Sequence, residues 1–392
     1  MVAFSFYPAD PRIRRAAEAL LAEGMNMDLI CEGQEGIPSR ESRDHLEIIR
    51  VPVRRHRGGA LSYAYQYFSF IMIASAVLAW RMLRGRYDLV YVHNMPDILV
   101  VSGILPRLFG AKVILDQHDP MPELMMTIFN RGESSLGVRV IRRLERWSFA
   151  CADSVITVNE ACKKIFSARS CRADKISVVM NSPDGEIFPY RSARSYIPRA
   201  SGQRFVIMYH GSLVERNGLE LAVDALAQAQ QKIQDAELRI FGADAPYLQR
   251  VMEKVSRLGL DNHVRYLGPR KLEDLAHEIE SCDVGVIPNQ RNIFTDINTP
   301  TRIFEYLALG KPVIAPSTRG ITDYFGHDSL FFFESGNAQD LAMRMEDAAD
   351  HPAETVDIAE RGQQIYLAHT WSQERQGLVN QVRRLLSKSK LH

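Results

Sequence analysis

No cysteine arrangement in this sequence would hold a disulfide framework or a metal. The five cysteines, Cys31, Cys151, Cys162, Cys171 and Cys282, are odd in number and never spaced C-x-x-C. A stapled secreted scaffold and a zinc module are therefore not indicated, and a reducing cytosol is the simplest setting. The formal net charge is only +1, with no concentrated basic footprint, so nucleic acid drops out as an expected partner. The opening residues, MVAFSFYPADPR, lack the basic and long apolar regions of an export signal. The first strand-to-helix turn, YPADP, carries no G-x-G-x-x-G, which removes the main support for a dinucleotide-binding enzyme.

What is present is a long alternation of strand and helix. A chain of 392 residues exceeds one core of ordinary size and predicts two domains. Val2 to Phe6, Met27 to Cys31, Leu46 to Val53, Leu89 to His93, Val113 to Asp116, Ser154 to Val158 and Ile176 to Met180 are short apolar or β-branched runs. Helical patterns separate most of them, which predicts a parallel sheet covered on both faces. Asn181 to Phe205 is turn-rich and reads as a linker. The pattern then restarts, with strands expected at Phe205–Tyr209, Leu238–Phe241, Val264–Leu267, Asp283–Ile287, Val313–Ala315 and Leu330–Phe333. The fold class expected is therefore α/β, two doubly wound Rossmann-like domains.

The stretch Thr299 to Pro316, TPTRIFEYLALGKPVIAP, compresses a helix start, a helix stop and a buried strand. Thr299 is the expected N-cap, Pro300 the first helical residue and Gly310 the stop. Ile303, Phe304, Leu307 and Ala308 form one apolar stripe, with Arg302 and Glu305 on a polar stripe beside it. Free N–H groups at the helix start suit a phosphate, and a carboxylate one turn on suits a ribose diol. Spacing alone leaves an ordinary surface ion pair equally open.

This stretch resembles the second half of the E-x7-E signature of the retaining glycosyltransferases of family 4, also called group 1, which have the two-domain GT-B fold. The resemblance places Glu305 on the second Glu, which holds the nucleotide ribose. The first Glu would fall on Ile297 and is absent; Asp296 is one residue out of register. Sub-groups reading P-x-K-x-F-E-Y-L-A-x-G-K-P-V-I-A, without the first Glu, are nearer. In the second domain YHGSLVERNG is similar to the family's diphosphate turn: Gly211 matches its Gly, Ser212 stands where Arg is common, and Arg216 stands with Asn217 where a basic residue is usual.

In the first domain KVILDQHDPMPEL ends a strand in a turn bearing Asp116, His118 and Asp119, where open parallel sheets bind ligands. A structural histidine fits there as well; the resemblance places His118 at the donor sugar. The resemblance implies domains at 1–190 (acceptor-binding) and 200–368 (nucleotide-sugar-binding), facing a cleft, and a C-terminal helix, 369–392, crossing back to the first domain; the final KSKLH is expected to fray. It implies a glycosyltransferase moving a sugar, with retention, from a UDP- or GDP-linked donor to a saccharide or lipid-linked acceptor in bacterial polysaccharide assembly. The expected catalytic set is His118, Arg216 and Glu305; the expected donor-binding set is Gly211, Ser212, Arg216, Thr299, Thr301, Arg302 and Glu305. No metal and no cofactor beyond the nucleotide sugar is expected. A degenerate scaffold subunit or a sugar-nucleotide epimerase on the same fold stays open.

Two helices bear on the setting. Leu61 to Trp80 is uncharged and long enough to span a bilayer, yet it connects two strands of one sheet and is expected to be a buried crossover helix, with membrane contact and a span as alternatives. In the helix Ser134 to Ala150, Arg139, Arg142, Arg143 and Arg146 share one face, and Val138, Ile141, Leu144 and Trp147 form the expected apolar face. The basic face reads either as a solvated surface or as a dock for anionic headgroups, with Arg50, Arg54, Arg55 and Arg57 nearby in sequence. The expected location is cytoplasmic, with peripheral contact at the inner membrane face left open.

Overall fold

In the computed structural model the described residues are 1–56, 59–195 and 203–387; Arg57, part of the expected linker and the KSKLH end lie outside them. The chain divides into two compact units. Unit 1 comprises Met1–Met180 together with the stretch from Glu374 onward, and unit 2 comprises Asn181–Gln373.

Unit 1 is built on β1 (Met27–Glu32), β2 (Arg40–Arg43), β3 (Leu46–Val51), β4 (Leu89–His93), β5 (Lys112–Gln117), β6 (Ser154–Thr157) and β7 (Ile176–Val178). β4 to β7 pair in sequence order, all parallel, and β1 pairs parallel with β3. The expected first strand is reduced to Val2, which bridges Ile30 on one side and Val92 on the other and so joins the two sets of strands. Its neighbours leave strand geometry as the chain enters the YPADP turn. β2 pairs antiparallel with β3 and breaks the expected all-parallel pattern. Its sequence, RESR, carries no apolar alternation, so nothing local announces it.

The helix Pro11–Leu21 is capped by Asp10, whose carboxylate accepts from the Arg12 and Ile13 amides. The helices Ala60–Met82, Ile104–Leu108 and Leu136–Cys151 occupy the connections β3 to β4, β4 to β5 and β5 to β6. Each of these connections advances across the sheet in the same direction. Right-handed crossovers therefore place all three helices on one face.

Unit 2 holds β8 (Phe205–His210), β9 (Ala236–Phe241), β10 (Val264–Gly268), β11 (Val284–Val286), β12 (Val313–Pro316) and β13 (Phe331–Phe333). They are all parallel, in the order β10-β9-β8-β11-β12-β13. This is the doubly wound order in which the strand sequence reverses between β8 and β11. All six residues of β8 are buried, as expected for a central strand covered by helices on both faces. Its core joins Ile207, Tyr209, Leu226, Leu238, Val286 and Ile314.

Candidate functional site

In unit 2 the carboxyl ends of β8 and β11 flank the point where strand order reverses, which is where doubly wound sheets open a crevice. β8 ends at His210, and Gly211 turns the chain away with φ 129°, a conformation that suits glycine. Gly218, at φ 68°, lets the following loop close on the segment after β11, because a Cβ there would lie 1.9 Å from the Pro288 carbonyl oxygen. The Gln290 amide donates to the Arg216 carbonyl at 3.0 Å across that contact. The backbone of this loop is thereby fixed.

The helix Thr301–Ala308 points its first turn at the same place. Arg302 donates from Nη1 to the His210 carbonyl at 2.8 Å and from Nη2 to Asn289 Oδ1 at 3.1 Å, with its guanidinium carbon 4.9 Å from the centre of the Tyr209 ring. It ties the helix to both strand ends. One turn on, Glu305 Oε2 lies 2.5 Å from His210 Nε2. His210 Nδ1 lies 2.9 Å from the Tyr306 hydroxyl, which donates to the Met208 carbonyl at 2.7 Å. Burial raises the Tyr306 phenol well above its usual range, so it keeps its single proton for Met208. The His210 ring, held between the Tyr306 hydroxyl and Glu305, sets the direction of the carboxylate.

The consequence is a carboxylate locked in direction. Among the described residues Glu305 Oε1 has no partner, while its side chain is only 15% exposed. The helix start has no side-chain cap, and its first N–H groups, those of Thr301 and Arg302, find no acceptor among the described residues. A row of open N–H groups at the positive end of the helix dipole beside a fixed carboxylate can hold an anion and a diol together.

Thr299 is not the N-cap. Its hydroxyl donates to the Gly320 carbonyl at 2.6 Å, and the helix begins one residue later than the sequence suggests, with Pro300 in the cap position. Gly320 packs so closely on Asn298, with a Cβ clearance of 2.4 Å, that its carbonyl captures the hydroxyl first. Ile297 is buried, and the adjacent Asp296 is held by Arg291 at 3.0 Å and Arg319 at 2.5 Å. That carboxylate is committed to arginines. Ser212 is exposed, and its carbonyl accepts from Tyr209 and Asn217. The Arg216 guanidinium, half-buried, has no hydrogen-bond or ion-pair partner among the described residues. Sequence reasoning gave no role to His210, Asn289 or Tyr306. His210 was visible as a polar residue ending a strand before a glycine, but its pairing with Glu305 spans 95 positions.

Unit 1 gathers polar groups at the ends of β4 and β5. Arg12 clasps Asp116 through Nη2 at 2.6 Å and Nε at 3.1 Å, and Tyr91 donates to Asp116 Oδ2 at 2.8 Å. His93 Nδ1 lies 2.9 Å from His118 Nε2 and 3.5 Å from Asp116 Oδ2. His93 Nε2 is buried without a partner among the described residues, which is cheaper for a bare acceptor than for an N–H; His93 Nδ1 therefore carries the proton and donates. His118 then accepts at Nε2 and keeps its proton on Nδ1, a neutral donor.

Burial, ahead of the attraction of Asp116, lowers His118 to about 4, and burial lowers His93 as well. Against the cost of burial, Arg12 and the two imidazoles lower Asp116 to about 2. His93, Asp116 and His118 lie close enough to share a cation. The donor chemistry does not fit one, because Arg12 and Tyr91 already fill the Asp116 lone pairs and a dication would sit against the guanidinium. Asn94 orders the turn by accepting the His118 amide at 2.7 Å. Arg12 and His93 carried no functional signal in the sequence beyond a charged residue opening an apolar helix and a histidine ending a strand.

The helix Leu136–Cys151 departs from its expected faces. Val138, Glu145, Ser148 and Phe149 are buried, whereas Leu144 and Trp147 are exposed. Arg169 is the reason: it binds Glu145 at 2.6 Å and Glu123 at 2.5 Å, so a carboxylate can occupy the core face. The expected basic face is also divided. Arg142 pairs with Glu133 at 3.4 Å and Arg146 donates to the Arg169 carbonyl at 2.8 Å. Arg139 and Arg143 remain exposed without an ion pair among the described residues.

Comparison with known proteins agrees with this architecture. The family model for the glycosyl transferase 4-like domain matches residues 9–182, and that for glycosyl transferases group 1 matches residues 195–365. The chain is 24% identical over 268 residues to a probable glycosyltransferase, WbjE, of Pseudomonas aeruginosa, covering 66% of this chain and 63% of that protein. It is 26% identical over 191 residues to TuaH of Bacillus subtilis, a putative teichuronic acid biosynthesis glycosyltransferase, covering 47% of this chain and 44% of that one. The matches thus span about half to two thirds of these relatives' lengths. Among solved structures Anabaena HepE in complex with UDP-glucose is similar at TM-score 0.69 and 17% identity, over 98% of this chain and 99% of that one. At that identity the likeness speaks for the fold.

Proposed function

The chain belongs to the group 1 glycosyltransferases, with the GT-B fold, and on that footing we propose that it transfers a sugar from a nucleoside diphosphate donor to a saccharide or lipid-linked acceptor, with retention, in bacterial surface-polysaccharide assembly. The observation that carries the reading is the pairing of an uncapped helix start at Thr301 with a Glu305 carboxylate fixed by His210. The open amides, with Gly211 and the unpaired Arg216 on the loop after β8, bind the diphosphate. Glu305 Oε1 accepts from the ribose diol. Arg302 holds the crevice in shape through His210 and Asn289 and keeps N–H groups in reserve for phosphate. In unit 1, His118 presents a neutral N–H suited to a sugar hydroxyl.

As the sugar leaves, negative charge builds on the diphosphate. Fixed amides and arginines stabilise it without reorganisation, so no metal is needed. UDP as the leaving group is supported by HepE, whose structure holds UDP-glucose, and a polysaccharide-building role by TuaH, a putative teichuronic acid biosynthesis glycosyltransferase; GDP is the other donor nucleotide that the family resemblance implies. The protein works in the cytoplasm.

The test is calorimetric titration of UDP, GDP and ADP into wild type, Glu305→Ala and His210→Phe, in EDTA. One nucleoside diphosphate binds the wild type; Glu305→Ala and His210→Phe each lose about tenfold or more in affinity, as expected for hydrogen bonds to a charged group. Absence of binding for every nucleotide overturns the donor site and leaves a degenerate scaffold subunit, the reading that the Ile297 and Ser212 positions would then support.

A further inference from the structure

The helix Ala60–Met82 is apolar all round yet mostly uncovered. It is long and apolar enough to cross a membrane, but only 22% of that stretch is buried. Gln66, Phe70, Ala74 and Leu78, four apart, form the buried stripe. On the opposite side Leu61, Tyr65, Phe68 and Met72 are 88%, 73%, 65% and 54% exposed, and the stripe continues to Trp80 and Leu83. A helix of this kind in a soluble protein normally hides its second face.

The neighbouring elements extend the patch. The helix packs on the segment Asp97–Leu108, which also packs on the helix Leu136–Cys151. That second helix exposes Leu136, Val140, Leu144 and Trp147 along one stripe, opposite its buried Val138, Glu145 and Phe149. Between the two, Leu105, Leu108 and Phe109 are exposed as well. All three elements cover the same face of the unit 1 sheet, so the exposed stripes look the same way.

Charge identifies the occupant. The helix Ala60–Met82 contains no acidic residue, and the one acid of the helix Leu136–Cys151, Glu145, is buried with Arg169. The rim is arginine: Arg139 and Arg143 have no ion pair among the described residues, and Arg84 stacks 4.1 Å from the Trp80 ring. A second copy meeting this face about a two-fold axis would set arginine against arginine. An apolar stripe with Trp and Tyr rings and an arginine rim fits the boundary between anionic headgroups and acyl chains.

We propose that this face of unit 1 docks the protein on an anionic bilayer, with the helix Ala60–Met82 lying in the membrane plane. It does not span, because the Phe70, Ala74 and Leu78 stripe is held against the body of the unit and a crossing would strip it away. The inference stands apart from the transfer reading and needs no nucleotide.

The test is flotation of the full chain with vesicles of phosphatidylcholine alone and of equal parts phosphatidylcholine and phosphatidylglycerol. Wild type floats with the anionic vesicles, less so at high salt. The double variant Phe68→Glu, Met72→Glu, both at exposed positions, partitions about tenfold more weakly, and so does Arg139→Glu, Arg143→Glu. Circular dichroism melts of both variants report whether they fold as wild type does, and the second keeps the question open to refutation should the first misfold. Equal flotation of wild type and folded variants overturns the proposal. So does a wild-type dimer in sedimentation velocity that Phe68→Glu, Met72→Glu abolishes while vesicles bind neither form.

Discussion

At the scale of single residues the buried histidines of unit 1 give the protein a defined response to acid. His93 and His118 are held well below the ordinary 6.5, so between pH 6.5 and about 4 the unfolded chain binds protons that the folded one refuses. Stability then rises with pH across that window. Asp97 acts oppositely: burial, then Glu145, raises it from 3.8 to about 7, so the folded state keeps a proton that the unfolded state has lost. Two histidines against one carboxyl leave a net rise of stability with pH across the middle of the window. Melting temperature followed from pH 7 downward will fall with acidification, and Asp97→Asn will make the fall steeper. An Asp97→Asn profile parallel to wild type would rule out a raised Asp97. Legibility at this scale was uneven. Arg302 and Glu305 could be read from helical spacing, because three positions on one short helix are local information. The partners that give them direction, His210 and Asn289, lie 92 and 13 positions away and arrive only through strand order.

At the scale of elements, the helix Thr301–Ala308 was visible from its apolar stripe and its glycine stop, while its first residue was not. A carbonyl 21 positions downstream takes the hydroxyl that would have capped it. The helix Ala60–Met82 shows the same division: composition predicts a long apolar helix, but which stripe meets the sheet is decided by neighbours that no local pattern names. β11 shows what an element can hide. Its middle residue, Gly285, looks like any glycine in an apolar run, yet the Tyr306 ring crosses it so closely that a Cβ would lie 2.4 Å from the ring. Gly285→Ala must push Tyr306 aside, and with it the hydroxyl that holds His210 behind Glu305. The expected cost is about 1–3 kcal/mol of stability, the usual range for overpacking. Weaker nucleotide binding should accompany it. Tyr306→Phe, which keeps the ring and removes only the hydroxyl, separates the two effects: it should weaken binding with a smaller loss of stability. Normal nucleotide affinity in Gly285→Ala would show that the Tyr306 and His210 chain does not position Glu305.

At the scale of the whole molecule the chain leaves unit 1 at Met180 and returns to it at Glu374, so unit 1 is completed only by the last helix, Trp371–Ser387. That helix buries Leu378, Val379 and Val382. Its polar residues reach back as well: Glu374 accepts from the Met180 amide at 2.7 Å, Gln381 donates to Ser154 at 2.8 Å, and Arg375 and Arg383 both hold Glu23. A unit assembled from two distant stretches folds only after the intervening unit 2 has been made, because its closing contacts span up to 360 positions. Damage to the last helix should therefore appear in unit 1 and spare unit 2. Leu378→Ala is expected to cost unit 1 about 2–5 kcal/mol, the range for a buried leucine that leaves a cavity. Calorimetric scans with and without the nucleotide proposed to bind unit 2 can tell the units apart, since ligand raises only the transition of the unit that holds it. The variant should lower the ligand-insensitive transition and leave the ligand-shifted one in place; a fall of both together would mean that the two units melt as one cooperative body.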